Sequence, residues 1–166
     1  MSRSPTAPAS IELLVLDVDG VLTDGRLWFG AAGESLKVFH VHDGLGIKQA
    51  AAAGVRIAVI SGRRHHAVDA RMDELGVALV RQGVPDKVEA LRTLLADTGI
   101  AAANTACIVD DSSDVPLMKA VGLSVAVADA HPTAIAAADR VTRLAGGRGA
   151  VREICDLLVA ARGRNP

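Results

Sequence analysis

Short runs of branched apolar residues alternate along the chain with stretches in which apolar positions return every three or four residues. Ile11 to Leu16 is the first such run, apolar with no clean alternation, the pattern of a strand covered on both faces. Val55 to Ile60, Val77 to Val80, Ala106 to Val109 and Leu123 to Val127 repeat it, each after a helical stretch and a Gly or Asn able to end that helix. The helical stretches run from about Leu45 to Ala53, His65 to Leu75, Pro85 to Asp97, Val115 to Ala120, Pro132 to Ala137 and Ala150 to Ala161. This order predicts parallel βαβ units: an α/β chain folded as a Rossmann-like three-layer α/β/α sandwich around a mostly parallel sheet. One segment breaks the rhythm. Arg26 to Val41 has two extended pieces around a Gly30 to Gly33 turn and reads as a small β-hairpin. It carries Trp28, Phe29 and Phe39, all the aromatic residues of the chain, and on a projecting hairpin these point to a subunit contact. Residues 1 to 10, small and polar with two prolines, read as a disordered leader before a single domain over 11–163.

Composition narrows the field. A chain of 166 residues, half of them hydrophobic, is one ordinary domain with enough core to need neither disulfides nor a structural metal. Net charge −1 and so few aromatics leave no basic field and no stacking platform, which argues against nucleic acid and against an anionic membrane surface. No 18 uncharged apolar residues run together, so no spanning helix is predicted. The first ten residues hold no apolar core of a signal peptide, and a cytoplasmic protein is expected. Cys107 and Cys155 sit among apolar neighbours and read as packing residues.

The polar residues just past the strand ends carry the chemistry. Asp17 and Asp19 follow the first strand, Ser61 follows the second, and Asp110, Asp111 and Asp114 follow ACIV, so the carboxyl ends of several strands bring them to one edge of the sheet. Alternate strand positions share a face, which aligns Asp17 with Asp19 while Val18 points inward. With Asp110 these make an oxygen cluster suited to a hard divalent ion such as Mg²⁺. Ser61 and Gly62 are expected to open a helix whose N-terminal amides favour an anion, and Lys87, one of four lysines, stands near the start of the next helix as a point charge for phosphate. A carboxylate beside Mg²⁺ can attack phosphorus while a second protonates the leaving alcohol and then deprotonates water. Asp43 reads as a helix N-cap, and His65 and His66 as solvent-facing residues at the start of a helix.

DVDGVLTDG (Asp17 to Gly25), ISGR (Ile60 to Arg63), Lys87 and DDSSD (Asp110 to Asp114) resemble, in order and spacing, the four motifs of the haloacid-dehalogenase-like phosphatases. Within that superfamily the chain is most similar to the capless 3-deoxy-D-manno-octulosonate 8-phosphate phosphatases. That similarity runs through KVFHVHDGLGIK (Lys37 to Lys48), VGLSVAVADAHP (Val121 to Pro132) and AGGRGAVREICDLL (Ala145 to Leu158). The resemblance implies an Mg²⁺-dependent phosphatase of a sugar acid phosphate in the pathway to the lipopolysaccharide inner core. It implies Asp17 as nucleophile and metal ligand, Asp19 as general acid/base with its carbonyl oxygen on the metal, and Asp110 as the third protein ligand. Ser61, Gly62 and Lys87 would hold the phosphoryl group, with Asp111 and Asp114 supporting Lys87 and the metal site. It further implies a homotetramer in which a neighbour's hairpin covers the site, with Arg148, Arg63 or Arg64 meeting the substrate. The chain departs from the family pattern at Val109, where Gly is usual, and at His42, where Arg is common; His42 binds an anion only when protonated. A phosphatase of a related 9-carbon sugar acid is the alternative reading, and a receiver-like phosphorylation switch or a non-catalytic domain of the same fold are the others.

Overall fold

Leu13, Leu14, Val15 and Leu16 are all buried because their strand, β1 (Leu13–Leu16), runs through the middle of a six-stranded sheet. The computed structural model describes residues 4–163. After β1 come the hairpin strands β2 (Trp28–Gly30) and β3 (Gly33–Leu36), then α1 (Val41–Ala52), β4 (Arg56–Ser61), α2 (His66–Leu75), β5 (Leu79–Gln82) and α3 (Lys87–Thr98). β6 (Thr105–Val109), α4 (Val115–Ala120), β7 (Leu123–Ala126), α5 (Pro132–Ala137), β8 (Arg140–Val141) and α6 (Ala150–Arg162) complete the order. The sheet runs β5-β4-β1-β6-β7-β8, and every pairing in it is parallel. The chain therefore builds outward from β1 to β5, then returns to lay β6, β7 and β8 on the other side. With right-handed crossovers, that reversal places α1 and α2 on one face and α3, α4 and α5 on the other; α6 packs back on α1. This is the predicted three-layer sandwich. The antiparallel β2-β3 hairpin stands outside its sheet, and no second domain lies among the described residues.

Local chemistry sets the element ends. Asp86 starts α3 by accepting the Val88 and Glu89 amides at 2.8 and 3.1 Å, and Gly99, at φ +70°, stops it in the left-handed region. In α6, Ala150, Val151, Ile154, Cys155 and Leu158 form one buried stripe at helical spacing.

Three expectations are corrected here, and one element was not foreseen. The leader does not remain free to Ser10: Thr6 donates its amide to the Gly122 carbonyl at 2.9 Å, and Pro8–Ser10 form a tight turn, so order begins before Ile11. Residues 1–3 lie outside the described residues. Asp43 is not an N-cap, because α1 begins earlier, with His40 capping it. The Asp43 carboxylate is buried and accepts the Arg152 amide at 2.8 Å, tying α1 to the first turn of α6. His65 is buried rather than solvent-facing, since its Nδ1 caps α2 through the Ala67 amide. The short edge strand β8 was not foreseen, for two residues carry no periodicity.

Candidate active site

The direction of the chain reverses between β1 and β6, and at their carboxyl ends Asp17 and Asp110 face each other across the crevice such a reversal opens. Beyond Asp17 the chain makes one tight turn, closed by the Thr23 amide on the Val18 carbonyl at 3.0 Å. Gly20 sits in that turn at φ +80°. A Cβ there would lie 1.9 Å from Asp110 Oδ2, so only glycine lets the turn approach the carboxylate this closely.

Lys87 opens α3 and reaches across to two of the aspartates. Its Nζ donates to Asp17 Oδ2 and to Asp114 Oδ1, both at 2.6 Å. Asp17, Asp110 and Asp114 each present an oxygen within 4.8 Å of the others. Burial pushes the Asp17 carboxyl up to about 6, against the pull of Lys87 and with the help of Asp114. It pushes Asp110 up to about 7, aided by the charges of Asp17 and Asp114. Burial opposes the charge on Lys87 as well, but its two carboxylate partners more than offset that and hold its ammonium above the ordinary range. Three carboxylates around one lysine leave excess negative charge in poor solvent. An all-oxygen set of this kind fits a hard divalent cation.

Behind this cluster Asp111 and Asp114 form a reciprocal cap on the turn after β6. Asp111 Oδ1 accepts the Ser112 amide, and Asp114 Oδ2 accepts the Asp111 amide at 3.4 Å. Of the two, it is Asp114 that holds Lys87. The carboxylates line a cleft of about 270 Å³ together with Asp19, Ser61, Gly62, Arg63, Lys87 and Ser113. A neighbouring hollow of about 460 Å³ shares Gly62, Lys87 and Ser113 but has none of the three clustered carboxylates.

Ser61 and Gly62 thus reach the cleft, but not as the start of a helix: α2 begins at His66, and Ser61 ends β4. Arg63 lines the cleft, whereas Arg64, His42 and Arg148 do not. Arg64 and His42 are exposed, with the His42 ring edge-on to His40 at 4.9 Å. Arg148 pairs with Asp24 of its own chain at 3.0 Å. Val109, named above as a departure from the usual pattern, ends β6 without a positive φ, so it introduces no left-handed strain beside Asp110.

Two residues that sequence reasoning passed over come from the hairpin. Lys37 Nζ donates to Asp19 Oδ1 and, at 2.7 Å, to Glu34 Oε1; Glu34 Oε2 accepts from Arg63 at 2.8 Å. The only signal for Lys37 was the scarcity of lysine, and Glu34 had none. The C-terminal loop closes on the same turn from the other side. The Gly147 amide donates to the Val21 carbonyl at 2.8 Å, and a Cβ on Gly146 would lie 1.7 Å from the Gly20 carbonyl oxygen.

Residues 78–154 match the haloacid dehalogenase-like hydrolase family. The 3-deoxy-D-manno-octulosonate 8-phosphate phosphatase of Escherichia coli (strain K12) is 52% identical over 155 residues, 93% of this chain and 82% of that one. Its Yersinia pestis counterpart is 47% identical over 154 residues, 93% and 82% of the two chains. The solved cobalt-bound deoxy-D-mannose-octulosonate 8-phosphate phosphatase of Haemophilus influenzae has a TM-score of 0.92 at 43% identity, covering 95% of this chain and 92% of that one. The Moraxella catarrhalis enzyme, solved with magnesium, phosphate and KDO, has a TM-score of 0.91 at 36% identity, covering 94% and 90%.

Proposed function

The chain belongs to the 3-deoxy-D-manno-octulosonate 8-phosphate phosphatases, within the haloacid dehalogenase-like hydrolases, and from that premise we propose that it hydrolyses 3-deoxy-D-manno-octulosonate 8-phosphate to the free sugar acid and phosphate, in lipopolysaccharide inner-core biosynthesis. The observation that carries the reading is the cleft in which Lys87 joins Asp17 to Asp114 beside Asp110. Asp17 is the nucleophile. Its carboxylate oxygen bonds to phosphorus as the bond from phosphorus to the sugar oxygen breaks, and Asp19 gives its proton to that departing oxygen. Asp19, now ionised, takes a proton from a water that attacks the same phosphorus, which returns Asp17 as a carboxylate and frees phosphate. Lys87, Ser61 and Gly62 hold the phosphoryl oxygens, while Asp114 fixes Lys87 and Asp111 caps the turn that carries Asp114.

Mg²⁺ is the cofactor, and the oxygen set fits it: the carboxylates of Asp17 and Asp110 and the main-chain carbonyl of Asp19 would hold the ion. Asp114 belongs to the same cluster, but its buried carboxylate is already committed to Lys87. When bound, the ion supplies positive charge against the phosphoryl oxygens.

The active unit is a homotetramer in this reading, its single domain including the ordered residues before Ile11. What supports it is the hairpin, which leaves Trp28 51% and Phe29 66% exposed beside Leu27 and Leu36, an apolar patch that a second copy would cover. Such a neighbour is also what would bring Arg148, Arg64 and His42 to a substrate they do not reach within one chain. Among the described residues no helix is long and apolar enough to cross a membrane, and the two cysteines are free, which supports a cytoplasmic enzyme.

The test is phosphate release from purified protein with Mg²⁺, comparing 3-deoxy-D-manno-octulosonate 8-phosphate, a 9-carbon sugar acid 9-phosphate and p-nitrophenyl phosphate, each repeated with EDTA. Preference for the first, lost with EDTA, is expected. Preference for the 9-carbon ester keeps the chemistry and overturns the substrate; release from none overturns the phosphatase.

A further inference from the structure

We infer that Lys37, from the hairpin of the same chain, is a positioning residue that orients the acid/base carboxylate of Asp19; the inference rests on the phosphatase reading above. Four side chains close a ring at the base of the hairpin. Lys37 Nζ binds Asp19 Oδ1 and Glu34 Oε1, Glu34 Oε2 binds Arg63, and Arg63 Nε returns to within 3.8 Å of Asp19 Oδ2. The Lys37 side chain is only 2% exposed, so its charge has lost most of its water and depends on these two carboxylates. A lysine serving only as a surface charge would extend its head into solvent instead.

The two oxygens of Asp19 are not equivalent. Oδ1 is committed to Lys37, whereas Oδ2 is buried with no hydrogen-bond partner. Arg63 Nε, at 3.8 Å, forms an ion pair with Oδ2 but lies beyond hydrogen-bond reach, so Oδ2 is the oxygen free to carry the proton that passes to the departing sugar oxygen. Lys37 fixes the rotation of the carboxyl group that decides which oxygen is open. Glu34 keeps Lys37 from swinging to another acceptor, and the His65 ring, 3.3 Å from the Glu34 carbonyl oxygen, holds the hairpin in place. Asp19 in the turn after β1 is thus oriented by a segment that belongs to neither that turn nor the sheet.

The discriminating measurement is kcat/KM, which reads through transfer to Asp17 and departure of the alcohol, for two leaving groups. The sugar oxygen needs a proton to leave; p-nitrophenolate does not. Lys37→Met is expected to lower kcat/KM on 3-deoxy-D-manno-octulosonate 8-phosphate about 10- to 100-fold and on p-nitrophenyl phosphate less than about 3-fold, as misplacement of a single proton donor predicts. Lys37→Arg, which keeps a donor, should recover part of the first loss. Equal losses on both esters, or none, overturn the inference while leaving the phosphatase intact; wild-type protein inactive on both esters overturns the phosphatase itself. Should Lys37→Met not fold, Glu34→Gln, which loosens Lys37 without emptying the space, is read in the same way and by the same ratio.

Discussion

Replacing Gly20 with alanine perturbs the site through one atom. The new Cβ would fall 1.9 Å from Asp110 Oδ2 and 2.4 Å from its Cγ, so reaching ordinary contact near 3.4 Å requires a shift of about 1.5 Å between the nucleophile turn and the carboxylate. Alanine at φ +80° also carries a left-handed penalty of about 1–2 kcal/mol, but Gly76 separates the two effects. Its φ is +74°, nearly the same, and a Cβ there meets nothing within 4 Å. Both variants therefore share the backbone penalty, equivalent to a fall in the thermal midpoint of roughly 2–4 °C per kcal/mol in a domain of this size. Only Gly20→Ala moves Asp110, and a displacement above 1 Å in reacting geometry is worth about 100-fold in rate. Calorimetric melting and phosphate release, run side by side on the two proteins, give the comparison. The reasoning is refuted if Gly20→Ala folds and keeps kcat/KM within about 3-fold of Gly76→Ala.

Asp17→Asn should abolish turnover while leaving the fold intact; multiple turnover by that variant, measured as phosphate released per enzyme, would rule out Asp17 as nucleophile. Asp110 and Asp17, pushed up to about 7 and about 6, bind protons in the metal-free fold that the unfolded chain has already lost. The stability they contribute is complete below about pH 4 and disappears as pH rises through about 6 and 7. In EDTA the melting temperature should accordingly fall between pH 5 and 8, and Asp110→Asn should flatten that fall; an unchanged slope in the variant contradicts the assignment. Asp43→Ala strips the Arg152 amide of its acceptor at the junction of α1 and α6, for a loss of about 1–3 kcal/mol. Asp43→Asn, which retains an acceptor, should recover much of it in urea denaturation.

The sheet and the site were readable to different depths. Apolar runs such as VRIAVI announce strands buried on both faces, and residues just past such strands must gather at one edge, so Asp17, Asp110 and Ser61 were placed by pattern alone. Lys87 joined them because lysine is scarce and it stands near the start of the helix expected over 85–97, which the structure begins at Lys87 after its cap Asp86. What stayed hidden depends on long-range folding back. Nothing local to GESLK marks Glu34 and Lys37 as neighbours of Asp19, since that contact exists only once the hairpin folds over the turn. Asp43 imitates a helix cap in sequence, yet a distant amide of α6 claims it. His65 looked like surface because it stands at the outward start of a helix, and its capping role appears only where the loop after β4 turns inward.

The seating of Gly146 and Gly147 on the nucleophile turn has a consequence for the order of synthesis. Asp17 is made well before the wall that braces its turn. A nascent chain stalled before Ala145 carries every acidic residue of the cleft and Lys87, with β1 to β8 already made, yet lacks the backbone that Val21 and Gly20 rest against. Since domains fold as units, the nucleophile turn is expected to take its final shape only after the segment around Gly146 has been made. A chain released before Ala145 is therefore expected to release phosphate poorly, although each of those side chains is present.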